Sequence, residues 1–156
     1  VEKGRSKFVI DIENLYTIID SLIVCKFSRG VYYKEFEDLA RYYTIATGIE
    51  MSPDELRKAG ERINNAGRLF NIREGFTRND DHLPVKVMST PIPDNTVSKG
   101  SYITQKELSF MLDDYYAHRG WTRDGVPTLD KLKELGMENL AYIVEGKIVG
   151  KEKEKW

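Results

Sequence analysis

The stretch Ser52-Pro53-Asp54-Glu55 is the clearest helix start in this sequence. Serine at the N-cap, proline at the first helical position and glutamate at the third form a capping box, which satisfies free N–H groups of the first turn. The stretch therefore predicts a helix that ends by Gly75. Its apolar residues recur at intervals of three and four and predict an inward stripe of Leu56, Ala59, Ile63, Ala66 and Phe70.

The second half of the chain contains similar helix start and stop signals. Thr104-Gln105-Lys106-Glu107 is another capping box and predicts a helix that continues to Arg119-Gly120. A short helix follows from Thr128 to Leu135 and is closed by Gly136. Leu140 to Val149 could form a β-hairpin around Glu145-Gly146, and the short apolar run from Leu22 to Phe27 does not distinguish a loop, a strand and a buried helix.

The first third of the chain predicts two more helices, from Ser6 to Ile19 and from Lys34 to Thr47. Gly48 ends the second, as glycine commonly does at helix C-termini. The expected inward residues are Phe8, Ile12, Leu15 and Ile19 in the first helix, and Phe36, Leu39, Tyr43 and Ala46 in the second. The sequence thus predicts an all-α, multihelical fold.

Domain organisation follows from the same pattern. Residues 79–99 contain three prolines and predict a long loop. Lys151 to Lys155 alternates in charge and predicts a frayed end. We therefore expect residues 1–156 to form a single helical domain, with 137–156 as an atypical or frayed tail. Val1 stands where an initiator methionine would be, so we expect the chain to be part of a longer polypeptide.

Composition excludes several classes of protein. Lys and Arg number 24 against 25 Asp and Glu, so the net charge of −1 gives no basic surface for nucleic acid. No apolar run approaches the 18 or so residues of a membrane span. A single cysteine excludes an internal disulfide framework and is typical of a reducing cytoplasm.

The stretch Asp20-Ser21-Leu22-Ile23-Val24-Cys25 holds that cysteine and, five positions before it, a carboxylate within an apolar run. A buried carboxylate must find strong hydrogen-bond partners or become neutral. Free cysteine is itself among the most buried residue types. Taken alone, the stretch favours a structural interpretation, with Asp20 as a helix cap and Cys25 as core filler.

The remaining candidates for chemistry are weak, and we predict no catalytic residue in this chain. His82 and His118 with one cysteine do not make a recognisable zinc site, so we expect structural or solvent roles for both. The carboxylate pairs Asp80-Asp81 and Asp113-Asp114 are expected to cap helices or face solvent, because adjacent helical residues point apart.

Longer motifs resemble one enzyme family, the tungsten-containing aldehyde:ferredoxin oxidoreductases, in its C-terminal region. The similar stretches lie in the family's order between Lys7 and Gly136. Asp20 to Cys25 matches the family's Asp-x-x-Gly-Leu-Cys element in type and spacing. The others are Asn71 to Arg78, Asp80-Asp81, Leu83-Pro84, Met111 to Trp121, Gly125 to Thr128 and Leu132 to Gly136.

This resemblance implies a function. Family members place a β-rich domain and two helical domains around a tungsten (or molybdenum) bis-pterin beside a [4Fe-4S] cluster. They oxidise aldehydes to carboxylic acids and pass electrons to ferredoxin. By the resemblance, Cys25 is the fourth cluster ligand, and Asp20, Val24 and Cys25 line one pterin. The expected partners are ferredoxin, the remaining domains of the same enzyme and an aldehyde substrate, without nucleic acid or membrane.

Two departures from the family pattern matter. The glycine of the element is Ile23 here, where a turn with positive φ would favour glycine. The family's other three cluster cysteines lie upstream and are not in this chain, so the chain alone is expected to be catalytically incompetent. The alternative function is a non-catalytic helical interaction domain that keeps the fold without binding cofactor.

Overall fold

Seven α-helices form in the residues that the computed structural model describes, which are 4–93 and 97–150. Short 3₁₀ turns at Lys26–Ser28, Arg78–Asp80 and Glu138–Leu140 connect some of them, and no β-strand occurs in these two ranges. The all-α prediction is confirmed. The helices are α1 Arg5–Ser21, α2 Phe36–Thr47, α3 Pro53–Arg73, α4 Val85–Ser89, α5 Gln105–Arg119, α6 Leu129–Leu135 and α7 Ala141–Gly150.

The capping boxes begin α3 and α5 as predicted. At α3, the Ser52 hydroxyl accepts from the Glu55 N–H at 3.2 Å, and the Glu55 carboxylate accepts from the Ser52 N–H at 2.8 Å. Thr104 and Glu107 make the same exchange at the start of α5. These bonds satisfy N–H groups that have no partner inside the helix.

Helix α3 joins two apolar clusters. Its 21 residues give it a length of roughly 30 Å. The first cluster packs α1 and α2 on the N-terminal end of α3 and contains Leu15, Ile18, Ile19, Tyr33, Phe36, Leu39, Ala40 and Leu56. The second packs α6 and α7 on its C-terminal end and contains Leu69, Leu132, Leu135, Met137 and Val144.

Helices α1 and α3 pack closely against each other at Gly60. A Cβ atom built on Gly60 would lie 2.8 Å from the carbonyl oxygen of Asn14, which is inside normal contact distance. The missing side chain therefore sets how near the two backbones come. Helix α5 also packs on α1, so α1 lies between α3 and α5.

The predicted stripe of α3 is wrong in part. Leu56 is buried, but Ile63 and Phe70 are 43% and 55% exposed. The buried face instead carries Gly60, Asn65, Arg68, Leu69 and Ile72. The apolar pattern failed because this face is partly polar, and its polar groups are satisfied by distant parts of the chain. The inward stripes of α1 and α2 also failed at Phe8, which is 69% exposed, and at Ala46, which is exposed.

The predicted hairpin at 140–149 is wrong, because this segment forms α7. Val144 is 1% exposed in the second cluster, and Leu140 and Ile143 pack against the same cluster. Steps of three and four bring these residues to one helical face, and that burial outweighs the cost of about 1 kcal/mol for a glycine inside a helix. Lys151 to Lys155 lies outside the described residues, and the proposed tail at 137–156 stays a prediction.

The long loop expected at 79–99 begins within the 3₁₀ turn Arg78–Asp80 and contains the short helix α4. Residues 94–96 of this loop lie outside the described part of the chain. Within the described parts of the chain, no helix has the length and apolar character needed to cross a membrane.

Candidate functional site

The C-terminal end of α1 forms a Schellman turn. The Val24 N–H donates to the Ile19 carbonyl at 3.0 Å, and the Ile23 N–H donates to the Asp20 carbonyl at 3.1 Å. Ile23 takes the left-handed position of this turn with φ 57°, and no other non-glycine residue of the described chain has a positive φ. The turn therefore forms with isoleucine where glycine is the usual residue, at a cost of about 1–2 kcal/mol.

Cys25 follows this turn with an anchored backbone and an exposed thiol. Its carbonyl accepts from the Ser28 N–H at 3.1 Å, the Ser28 hydroxyl at 2.5 Å and the Tyr33 hydroxyl at 2.9 Å. Tyr33 is 2% exposed within the first cluster. Cys25 itself is exposed, so its interpretation as core filler is wrong. Hydrogen bonds to Ser28 and to the buried Tyr33 therefore anchor the backbone of this loop, while the Cys25 side chain faces solvent.

Asp20 is also turned away from the core. Its side chain is 61% exposed and pairs with the Lys26 ammonium, Nζ to Oδ1, at 3.0 Å. Ile18 and Ile19 are buried beside it. The helix thus places the carboxylate on its solvent side, and the sequence-based expectation of a buried charge is wrong. Asp20, in the last turn of α1, and Cys25, four residues beyond the end of that helix, are thus both exposed.

Apolar side chains surround this end of the helix and remain exposed. Ile23 is 93% exposed and Phe27 is 97% exposed, and Val31 and Tyr32 of the same loop are also open to solvent. Beside them lies an open pocket of about 490 Å³. It is lined by Tyr16, Lys26, Phe27, Arg29, Gly30, Lys34 and Glu35. An apolar surface of this kind often marks an interaction site.

The donor atoms here fit part of a metal cofactor site. Among the described residues, no group of three or more His, Cys, Asp and Glu side chains could hold a metal ion. Cys25 offers one soft thiolate, which suits one iron of a cluster that other cysteines complete. Asp20 offers carboxylate oxygens, which accept several hydrogen bonds. The described residues can therefore contribute ligands, but among themselves they do not form a complete metal site.

The family model described as aldehyde ferredoxin oxidoreductase, domains 2 & 3, matches residues 1–137. The chain belongs to the aldehyde ferredoxin oxidoreductase family. This confirms the resemblance read from the motifs.

Named relatives support the same assignment. The tungsten-containing aldehyde ferredoxin oxidoreductase of Pyrococcus horikoshii is 39% identical over 140 residues, covering 88% of this chain and 22% of that protein. The corresponding protein of Pyrococcus abyssi is 38% identical over 140 residues with the same coverage. The chain thus spans about a fifth of the length of these relatives.

A solved structure shares the fold. It is the active site complex BamBC of benzoyl coenzyme A reductase in complex with 1,5-dienoyl-CoA. Its TM-score is 0.73 at 26% identity, and the match covers 90% of this chain and 20% of that chain.

Residues of the family motifs also form hydrogen bonds and ion pairs between the helices. Arg119 is fully buried and ends α5. It donates to Glu61, to Asn14 at 2.9 Å, to Glu13 at 2.7 Å and to the Tyr115 hydroxyl at 3.0 Å. Burial raises the pKa of Tyr115, which donates in turn to Glu13 at 2.7 Å. This arginine network joins α1, α3 and α5.

An ion pair between a buried arginine and a half-buried aspartate links α3 to the segments that follow it. Arg68 binds Asp81 through both ends of its guanidinium, at 2.9 and 2.7 Å, and donates to the Gly125 carbonyl at 2.7 Å. Tyr116 also donates to Asp81, and burial raises the pKa of Tyr116. Asp81 was expected to be solvated or capping, which is wrong. The sequence feature that indicates this partner is Arg68, because an arginine at a buried position of α3 needs a carboxylate.

The other three carboxylates of the two pairs also have partners. Asp80 caps the 3₁₀ turn by accepting from the Thr77 N–H at 2.7 Å, as predicted. Asp113 pairs with Arg78 at 2.7 Å on the surface. Asp114 accepts from the Gly4 N–H at 3.1 Å and from the Ser6 hydroxyl, so it ties the start of α1 to α5.

Both histidines remain close to backbone carbonyls. His82 Nδ1 lies 2.9 Å from the Asp80 carbonyl, and His118 Nδ1 lies 2.8 Å from the Asp114 carbonyl. Both side chains are exposed. These contacts agree with the structural or solvent roles expected for them.

Proposed function

We propose that this chain is the cofactor-cradling C-terminal segment of a tungsten-pterin, [4Fe-4S] oxidoreductase that oxidises aldehydes to carboxylic acids and passes electrons to ferredoxin. The observation that carries the proposal is Cys25, whose thiol is exposed on a turn that hydrogen bonds hold rigid. Membership of the family and the tungsten in the names of its relatives support the same conclusion. The remaining domains of the enzyme cover this surface, in a cytoplasm that keeps the thiol reduced.

Each residue has a distinct task in this proposal. Cys25 gives one thiolate to an iron atom of the cluster, and cysteines from elsewhere in the enzyme give the others. Asp20 accepts hydrogen bonds from the N–H groups of a pterin edge, and Val24 packs against the same pterin. Ile23 and Phe27 exclude water once the neighbouring domains are in place. The bound cofactors supply the redox chemistry.

The test replaces Cys25 with Ser and, separately, Asp20 with Asn in the complete enzyme. Cys25→Ser puts a hard hydroxyl where iron prefers a thiolate, so the cluster should be lost or labile. Asp20→Asn loses a charge-assisted hydrogen bond worth about 1.5–3 kcal/mol, so pterin affinity should fall by about ten- to a hundredfold while iron is retained. Iron and tungsten per chain and the EPR signal of the reduced cluster measure both effects.

Asp54→Asn is the matched control, because Asp54 is another exposed carboxylate in an ion pair, with Arg57 at 2.7 Å. It should keep full metal content. A normal cluster signal in Cys25→Ser, or full tungsten in Asp20→Asn, would show that this site is wrongly assigned. A complete wild-type protein without iron or tungsten would favour the alternative, a non-catalytic helical interaction domain.

A further inference from the structure

Lys26 is held in place on the side of α1 that carries Asp20. Its ammonium contacts Asp20 Oδ1 at 3.0 Å and lies 5.3 Å from the centre of the Tyr16 ring, a distance at which a cation and an aromatic face attract each other. Tyr16 and Asp20 are four residues apart and therefore lie on the same face of the helix. Lys26 thus reaches back from the loop to the last two turns of α1.

The ion pair encloses the turn that presents Cys25. Asp20 stands five residues before the cysteine and Lys26 directly after it, so the salt bridge closes the loop around the thiol. The ion pair is also exposed, with side-chain exposures of 48% for Lys26 and 61% for Asp20. Exposed pairs contribute little to folding stability, so Lys26 can be replaced without unfolding the chain.

The pair leaves Asp20 able to bind a further group. The Lys26 ammonium contacts Oδ1 of the Asp20 carboxylate, and the Asp20 side chain is 61% exposed. A carboxylate has about four acceptor positions, so Asp20 can keep Lys26 and still accept from a ligand.

We propose that Lys26 is a positioning residue of the cofactor site. It holds the Asp20 carboxylate toward the ligand and fixes the positive charge of the residue that directly follows Cys25. This inference rests on the proposed function, because it concerns the same site. A [4Fe-4S] cluster gains negative charge when it is reduced, and a nearby fixed cation stabilises that reduced state. Lys26 therefore raises the reduction potential of the cluster.

The test compares three variants of the complete enzyme, Lys26→Gln, Lys26→Arg and Lys133→Gln. The arginine variant keeps the charge, and Lys133 is an exposed lysine in the last turn of α6 that controls for loss of a remote charge. Iron per chain is measured first. The reduced cluster is then followed by EPR in a potentiometric titration, and thermal unfolding checks that each variant folds.

We expect Lys26→Gln to keep its iron and its thermal midpoint, and to titrate at a more negative potential. At a fixed solution potential, the ratio of reduced to oxidised cluster should fall about tenfold, which corresponds to about 59 mV. Lys26→Arg and Lys133→Gln should titrate as the wild type does. Loss of iron from Lys26→Gln that Lys26→Arg restores would support the same role.

Two results would overturn the inference alone. One is a wild-type potential in an iron-loaded Lys26→Gln enzyme, and the other is equal loss of iron from both Lys26 variants. A wild-type enzyme without any cluster would instead overturn the proposed function, and this inference would fall with it.

Discussion

Ile23 occupies a backbone conformation that glycine adopts without strain. Its φ is 57°, and its side chain is 93% exposed, so it gains almost no packing in return. For a residue with a branched Cβ, the left-handed region costs about 1–2 kcal/mol. The strain is local to the turn that leads into Cys25. A substitution that removes this strain therefore changes the stability of the segment that carries the Cys25 thiol.

Ile23→Gly should stabilise the chain. Relief of the strain outweighs the extra conformational entropy that glycine gives the unfolded chain, about 0.4–1 kcal/mol, so we expect a net gain of up to about 1 kcal/mol. For a chain of this size, such a gain raises the thermal midpoint by about 2–4 °C. Thermal unfolding followed by circular dichroism measures it.

The matched control for this prediction is Val31→Gly. Val31 is also a β-branched residue of the same loop and is 78% exposed, but it has no positive φ. Glycine should destabilise the chain there by about 0.5–1 kcal/mol. Equal effects of the two substitutions would show that Ile23 is not strained.

At the scale of elements, two glycines of α3 have opposite surroundings. A Cβ at Gly60 would meet the Asn14 carbonyl at 2.8 Å, whereas a Cβ at Gly67 would have no atom within 4 Å. Alanine favours a helix over glycine by about 1 kcal/mol at either position. Only at Gly60 does a side chain force α1 away from α3.

Gly60→Ala should therefore destabilise the chain by about 1–3 kcal/mol, because the contacted atom belongs to the backbone and yields only if the helices shift. Gly67→Ala should stabilise it by up to about 1 kcal/mol. Urea unfolding of both variants gives the comparison. A stabilised Gly60→Ala would mean that α1 can move without loss.

The sequence predicts these elements well where the signal is local. The capping boxes at Ser52 and Thr104 placed the starts of α3 and α5, because their hydrogen bonds join residues three positions apart. The buried face of α3 escaped the same reasoning. The buried Arg68 is hydrogen-bonded to the Asp81 carboxylate, 13 residues away, and to the Gly125 carbonyl, 57 residues away. Apolar periodicity carries no information about such distant partners.

At the scale of the whole molecule, several carboxylates depend on being ionised. Hydrogen bonds from Ser52 lower the pKa of Glu55, those from Thr104 lower the pKa of Glu107, and that from Ser6 lowers the pKa of Asp114. A carboxyl whose pKa is lower when folded contributes stability above its unfolded pKa and loses it as pH falls through the folded value.

The thermal midpoint should therefore stay nearly constant above about pH 5 and fall below about pH 4, where these groups bind protons. Glu55→Gln should have a lower midpoint at pH 7 and a shallower decline in acid, because its side chain no longer titrates. Asp54→Asn, which leaves the capping box intact, serves as the control. A midpoint that rises between pH 5 and pH 3 would contradict the prediction.

The candidate site could be predicted from the sequence in residue type but not in arrangement. The spacing of Asp20 and Cys25 carries the family resemblance, and their assignment to cofactor binding stays a prediction. The sequence does not predict the ion pair between Lys26 and Asp20, because the two residues meet only where the chain reverses at Ile23. The apolar run around Asp20 also suggests that Asp20 and Cys25 are buried. Both are exposed, because the run continues past the end of α1 at Ser21.

The arginine network sets a lower limit on how this chain can be divided. Arg119 of α5 is the cation that Glu13 of α1 and Glu61 of α3 share. A truncated piece without α5 would leave these two acidic side chains without their shared counter-charge, and like charges that lie close together repel each other. The three helices therefore depend on one another for charge balance, and a gene fusion or circular permutation that keeps α1, α3 and α5 together preserves that balance.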